Sequence, residues 1–194
     1  LRGLFDRAEA EGGSAPESGI AQILVAAYET TTIMLAWTIE LLARHPRWQG
    51  PSAEEPVAER VISEALRLYP PTWLFVRVAT AADRLPGGFD VPAGGKIFLS
   101  PYASQRSRSA FAEAASFDPD RFLPDRRIDP WRYFPFGAGA RSCLGERLAR
   151  RIGATFLTRL SRQTRLAPLS RALPRPLGRV TLRPHRTIRV GVAR

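Results

Sequence analysis

Phe134-Pro135-Phe136-Gly137-Ala138-Gly139-Ala140-Arg141-Ser142-Cys143-Leu144-Gly145-Glu146 carries the only cysteine of the 194-residue chain, in a glycine-rich loop that runs into a helix. Gly137, Gly139 and Gly145 permit a tight turn and close approach by a flat ligand, which a Cβ would obstruct. From Glu146 onward, Arg147, Leu148, Ala149, Arg150 and Arg151 read as helix, so Cys143 falls at or just before its N-terminus. The free N–H groups and dipole of a helix start favour a thiolate over a thiol. Such a group suits an iron ligand or a nucleophile. Taken by itself, a lone cysteine is more often a small buried hydrophobe.

The spacing Phe136-x-x-Gly139-x-Arg141-x-Cys143-x-Gly145 decides between these readings. At every defined position it resembles the haem-thiolate signature of the cytochrome P-450 family. The resemblance implies that Cys143 is the axial ligand of haem iron, the metal site of the chain. It implies that Arg141 pairs with a haem propionate, that Phe136 shields the sulfur, and that Gly145 lets the helix lie against the porphyrin. Gly137 and Gly139 complete the cofactor-binding loop.

Composition is consistent with an enzyme of this kind and excludes little else. Apolar residues make up 44% of the chain, so it should fold rather than stay disordered. One cysteine allows no intramolecular disulfide framework and suits a reducing cytoplasm; with only His45 and His185 beside it, a structural zinc site is not expected. The net charge of +11, carried almost wholly by arginine with Lys96 the single lysine, points to an acidic partner. No RNA-binding, zinc-finger or phosphate-loop motif accompanies it, so nucleic acid is not expected. The start, Leu1-Arg-Gly-Leu-Phe-Asp6, has no initiator Met and no signal-peptide core, and reads as though cut from something longer.

Upstream of the loop, residues 1–19 are polar, with a breaker cluster at 12–19. A helix is expected over about 20–44, ended by His45-Pro46, with apolar residues on most sides and hence buried on most sides. Glu29-Thr-Thr-Thr32 near its middle favours a soluble core helix over a membrane span. The run Ala26-Ala27-Tyr28-Glu29-Thr30 resembles the oxygen-activating stretch of the family's central helix. By that resemblance Glu29 and Thr30 are catalytic proton-relay residues, beside Ala26 and Ala27 at the cofactor; the family more often has glycine at the position of Ala27. The plain alternative is that these are helix threonines bonded back to carbonyls and a satisfied acid.

A second helix is expected over 52–69, with Ser52 and Glu55 as a capping box and a stop at Pro70-Pro71. Glu64 and Arg67, three apart, share one face. They resemble the family's Glu-x-x-Arg pair, and Phe117-Asp-Pro-Asp-Arg121-Phe122 resembles the segment whose arginine completes a structural triad. Residues 73–100 read as short strands and turns. By resemblance Leu74, Phe75 and Val76 line the substrate pocket and Arg77 reaches a propionate, against ordinary sheet core and a solvated strand-end charge. Helical, irregular structure is expected over 103–115, and a meander with the haem loop over 117–145. Val180–Arg183 and Thr187–Val190 read as a terminal hairpin overhanging the pocket. The helix after Gly145 carries Arg147, Arg150, Arg151, Arg159 and Arg162, a basic face for an acidic electron donor or simply a solvated one.

The fold class so implied is mainly α with small β-sheets, residues 1–194 forming one partial domain whose N-terminal half is absent. The implied function is a cytoplasmic monooxygenase that uses haem b and electrons from NAD(P)H, delivered through a ferredoxin- or flavodoxin-type protein and its reductase. It would insert one oxygen atom into an apolar small molecule. No membrane anchor is expected in this chain. A non-catalytic haem-binding fragment, a dioxygen-independent enzyme such as a peroxygenase or isomerase, and a basic nucleic-acid module are the alternatives.

Overall fold

The computed structural model describes residues 16–193. Its first element, α1 (Pro16–Arg44), starts four residues before the expected position, with proline at its first turn, where a missing N–H costs nothing. The remainder of the polar segment, 1–15, lies outside the described residues. The expectation of burial on most sides holds only for the second half of α1. Ile33, Met34, Trp37, Leu41 and Leu42 are buried, whereas Ile23, Leu24 and Val25 are each more than 60% exposed. Among the described residues nothing packs over the first turns of this helix. By length and hydropathy Gly19–Arg44 could cross a membrane. Its acids are nevertheless paired, Glu40 with Arg44 and Glu29 with Arg183, and its buried half carries a protein core.

That core is formed where α1 meets α2 (Glu55–Leu68) and α4 (Glu146–Gln163). Trp37 stacks on Tyr69 with ring centroids 3.9 Å apart and planes 8° from parallel. Ala58, Ala154 and Leu157 are fully buried at the α2–α4 contact. Gly153 sits where all three helices converge: a Cβ there would lie 2.9 Å from Ile62 Cδ1 and 3.0 Å from Met34 Cε. The helix α2 begins at Glu55 rather than Ser52, and the expected capping box does not form. Ser52 instead lies in a 3-10 turn, Pro51–Ala53, that diverts the chain before the helix starts.

Among the described residues the strands pair as four separate antiparallel ribbons. β1 (Phe75–Val78) pairs with β4 (Lys96–Leu99) around a small hairpin, β2 (Asp83–Leu85) and β3 (Phe89–Val91), whose turn places Gly87 and Gly88 at positive φ. Between β4 and the meander, helix is confined to α3 (Pro101–Ser104); the rest of 103–115 is turns, not helix. The expected terminal hairpin is also replaced. β7 (Leu182–Pro184) pairs with β6 (Pro176–Gly178), and β8 (Val190–Ala193) returns to β5 (Arg165–Pro168), directly after α4. Buried Gln49 fixes that return, since its Oε1 accepts from Leu166 N at 2.7 Å and its Nε2 donates to Leu166 O at 2.8 Å. An amide in place of a neighbouring strand satisfies both backbone groups of Leu166, which is why the edge lies there.

Candidate functional site

The cysteine loop is built by its glycines and by one backbone bond. Gly137 and Gly139 adopt φ of +75° and +72°, which side chains rarely tolerate. The reversal brings Cys143 N to donate to Phe136 O at 2.8 Å, closing the loop across seven residues. Gly145 is different: its φ of −87° would suit any residue, so conformation does not require glycine there. It is the N-cap of α4, and a Cβ on it would stand 3.9 Å from Cys143 Sγ, on the flank of the thiol. Cys143 is exposed, and Leu144 beside it is fully exposed. A structural cysteine would be tucked into the core, whereas Cys143 is exposed on its loop. The residues therefore fit a flat group bound through sulfur.

Phe136 is half-buried beneath the loop, and Arg150 one turn into α4 stacks under it, its guanidinium 5.0 Å from the ring centroid. Arg150 also donates to Glu146 Oε1 at 2.9 Å and to Ser63 Oγ at 3.1 Å. It thus belongs to the support of the loop and not to the free basic face expected for it. Arg151 is paired with Glu55, and Arg162 donates to Ala53 O at 3.2 Å, while Arg147 and Arg159 are exposed with no ion pair among the described residues. Arg141 is exposed at the end of the loop. Arg77 curls over Phe75, 5.8 Å from its ring, and donates to Val76 O at 3.1 Å. The Phe75 ring lies 3.6 Å from where a Gly137 Cβ would be, so β1 borders the cysteine loop. Leu74 and Phe75 are half-buried and Val76 is 45% exposed, on a strand open on one face.

The triad expected from Glu64, Arg67 and Arg121 is assembled. Glu64 and Arg67 are both completely buried and joined by two bonds, Nε to Oε2 at 2.6 Å and Nη2 to Oε1 at 2.8 Å. Asp118 N donates to Glu64 Oε1 at 2.9 Å, and Arg121 Nε approaches the same oxygen at 3.5 Å. Burial pushes the Glu64 carboxyl up, and the Arg67 fork, the Asp118 N–H and the Arg121 charge pull it back. The remaining Arg67 donors serve the turns that lead into the meander: Nη1 bonds Gln105 O and Ala114 O, both at 2.8 Å, and Nη2 bonds Ser116 O at 3.0 Å.

Sequence reasoning missed Gln105, which joins the triad to the cysteine loop. It is wholly buried, its Nε2 donates to Leu66 O and Arg67 O at 3.1 and 3.0 Å, and its Oε1 accepts from Phe134 N at 2.9 Å. The loop is thereby hung from the carbonyl end of α2. Nothing marks this glutamine locally, because its partners are 29 to 39 residues away. Tyr133, beside Phe134, adds a bond from its hydroxyl to Ser63 O at 3.1 Å, and burial pushes that phenol up. The meander also forms an open cleft of about 450 Å³ lined by Arg121, Arg126, Arg127 and Arg132.

On α1, Thr30 Oγ donates to Ala26 O at 2.7 Å, the back-bonding that the plain alternative describes. Ala26 and Ala27 are exposed on the same turn. Glu29 accepts from Thr181 Oγ at 2.6 Å and from Arg183 Nη2 at 2.6 Å. The Thr181 hydroxyl and then the Arg183 guanidinium hold its carboxyl below the usual carboxylate range. Neither partner was foreseen, since they lie on β7 and the turn before it.

These features recur in known proteins. A family described as Cytochrome P450 matches residues 18–190. Pentalenene oxygenase of Streptomyces avermitilis is 33% identical over 98% of this chain, and cyclooctatin synthase of Streptomyces melanosporofaciens is 34% identical over 87% of it. This chain covers 47% and 41% of those two proteins, so it spans less than half the length of these relatives. Among solved structures, a six-coordinated cytochrome P450 from Thermus thermophilus superposes with a TM-score of 0.82 at 40% identity, over 89% of this chain and 47% of that one. CYP175A1, from another strain of the same organism, gives 0.83 at 37% identity, over 99% and 51%. Nearly the whole chain, cysteine loop and buried triad included, is matched in this way, and the chain belongs to the cytochrome P450 family.

Proposed function

We propose that this chain is a C-terminal portion of a haem-thiolate monooxygenase that inserts one atom of dioxygen into an apolar organic molecule. The observation that carries the reading is Cys143, exposed two residues before the N-cap of α4 and fixed by its N–H to Phe136 O. The named relatives, one an oxygenase, support the reaction class. Haem b, when bound, supplies the redox chemistry that activates dioxygen. The chain's own residues hold and serve it. Cys143 Sγ would be the iron ligand, with Phe136 beneath the loop, Gly145 on the flank of the thiol, and Gly137 and Gly139 allowing the reversal that presents it. Arg141 and Arg77 are the partners for the propionates, Arg77 by leaving its present bond to Val76 O. Leu74, Phe75 and Val76 offer an apolar wall to substrate. Glu29 takes a proton from solvent and passes it inward by way of the Thr30 hydroxyl, which in the present arrangement donates to Ala26 O on the helix. Glu64, Arg67 and Arg121 do no chemistry; they keep the meander and loop in register.

Electrons from NAD(P)H would enter through an acidic ferredoxin- or flavodoxin-type protein with its reductase. Arg147 and Arg159, exposed and without an ion pair among the described residues, together with the arginine-lined meander cleft, support a basic docking surface. A cytoplasmic location belongs to the same proposal and is supported by the ion pairs of α1.

A second reading applies to the chain in isolation: a haem-binding portion without turnover of its own. The exposed apolar turns Ile23–Val25 and the stripe Leu148, Ile152 and Phe156 along α4 favour it. Both readings are tested by the absorption spectrum of the reduced, carbon-monoxide-bound form after loading with haem. A strongly red-shifted Soret band that disappears in Cys143→Ala is expected. Haem uptake that survives Cys143→Ala with an unchanged spectrum refutes thiolate ligation. Uptake by a full-length form but not by this chain selects the second reading.

A further inference from the structure

Every bond that Glu29 receives falls on one of its two oxygens. Thr181 Oγ donates to Oε1 at 2.6 Å, Arg183 Nη2 donates to Oε1 at 2.6 Å, and Arg183 Nε lies 3.2 Å from the same atom. Oε2 has no partner among the described residues. The clamp is also stiff. Leu182, between the two clamping residues, is 3% exposed; its N donates to Pro71 O and its O accepts from Trp37 Nε1, both at 2.9 Å. Residues i and i+2 of an extended segment project to one face, so fixing Leu182 aims Thr181 and Arg183 together. Trp37 stands on α1 itself, two turns beyond Glu29, so the clamp is referenced to the helix that carries the acid.

An ion pair between partly exposed side chains contributes little to stability. Thr181, however, is 5% exposed, and a buried hydroxyl needs an acceptor for its proton; among the described residues Glu29 Oε1 is that acceptor. Arg183 Nε further approaches Thr181 Oγ at 3.3 Å, tying the two donors to each other. The arrangement fixes a carboxylate orientation more than it fixes the fold. We propose that Thr181 and Arg183 are positioning residues for Glu29, engaging Oε1 so that Oε2 alone takes up and releases the proton. The step is a proton transfer only: water gives a proton to Oε2, Oε2 gives it onward, and no bond at Oε1 changes. Because the clamp also holds the carboxyl below the usual range, the group is an anion between transfers and passes protons instead of storing them. This rests on the monooxygenase reading above.

The test uses the full-length, haem-loaded protein with an NAD(P)H-driven ferredoxin system. Its probes are dioxygen and the [δ-¹³C]Glu carboxyl carbon, observed in the diamagnetic ferrous carbon-monoxide form and assigned with Glu29→Gln. Arg183→Gln and Thr181→Val are expected to raise the Glu29 titration midpoint towards the ordinary carboxylate value. They are expected to slow dioxygen consumption by roughly ten- to a hundredfold, as misplaced reacting groups do, and to enlarge its solvent deuterium effect. Arg183→Lys, which keeps the charge, should recover much of the rate. If Arg183→Gln does not load haem, Thr181→Val removes one bond from the same oxygen and carries the test. Should Glu29→Gln be impaired while both clamp variants match the parent in midpoint and rate, the positioning role is wrong and the monooxygenase reading stands. Should Glu29→Gln itself behave as the parent, the relay role of Glu29 falls, and the clamp's role with it.

Discussion

Replacing Arg67 by Met tests the physical account of the buried triad. The substitution removes a guanidinium that is completely buried and makes two bonds to Glu64 and three to the carbonyls of Gln105, Ala114 and Ser116. Breaking one side of a buried ion pair costs about 3–5 kcal/mol. Each carbonyl left buried without a donor adds about 1–3 kcal/mol, less whatever water can reach it. Arg67→Met should therefore remove about 4 kcal/mol or more, a large fraction of the roughly 5–15 kcal/mol that holds a typical domain folded. At a urea slope of about 2 kcal/mol per molar, the unfolding midpoint should drop by about 2 M, read by circular dichroism on haem-loaded protein. The informative control is the double variant Glu64→Leu/Arg67→Met. If the pair mattered only as two opposite charges, an apolar replacement of both would restore stability. Here it should not, because the carbonyls of Gln105, Ala114 and Ser116 and Asp118 N remain unpaired; a deficit of about 3 kcal/mol should persist. A double variant within about 1 kcal/mol of the parent would refute the argument that Arg67 acts chiefly as the hydrogen-bond donor of the turns before the meander.

Three further outcomes are expected. Gln105→Leu, which takes one acceptor from Phe134 N and two donors from the end of α2, should cost about 2–4 kcal/mol and broaden the carbon-monoxide band as the cysteine loop loosens, both measurable on one sample. Gly153→Ala should cost about 1–3 kcal/mol in denaturant melts, since its Cβ meets Ile62 and Met34 at 3.0 Å or less. The Glu29 clamp carries a pH signature. Its folded pKa lies below the unfolded one, so its contribution is complete above the ordinary carboxylate range and is lost as pH falls through the depressed value. The melting-temperature gap between parent and Glu29→Gln should accordingly be largest near neutral pH and close on acidification; a gap that widens in acid would contradict the sign.

What the amino-acid sequence determined by itself was local. The cysteine loop was legible because positive φ at Gly137 and Gly139 and the helix start after Gly145 depend on neighbours a few residues away. Glu64 and Arg67 were legible because three residues of helix put two side chains on one face. Arg121 could be placed with them only through resemblance, its partner Glu64 lying on a helix far back in the chain. The misjudged elements share a different cause. The capping box at Ser52 lost to a proline-led 3-10 turn, and helix beyond Ser104 lost to a run of turns whose carbonyls face Arg67. The terminal hairpin gave way because β5 and the Trp37 indole needed partners that β8 and Leu182 bring, Gln49 having taken the other edge of β5 at Leu166. Gln105 and the Thr181–Arg183 clamp carried no local signal at all. Backbone sterics and helical spacing act over one or two turns and can be read along the chain. Which buried donor meets which acceptor is settled only when distant segments pack, because each polar group taken from water must then be satisfied by whatever lies beside it.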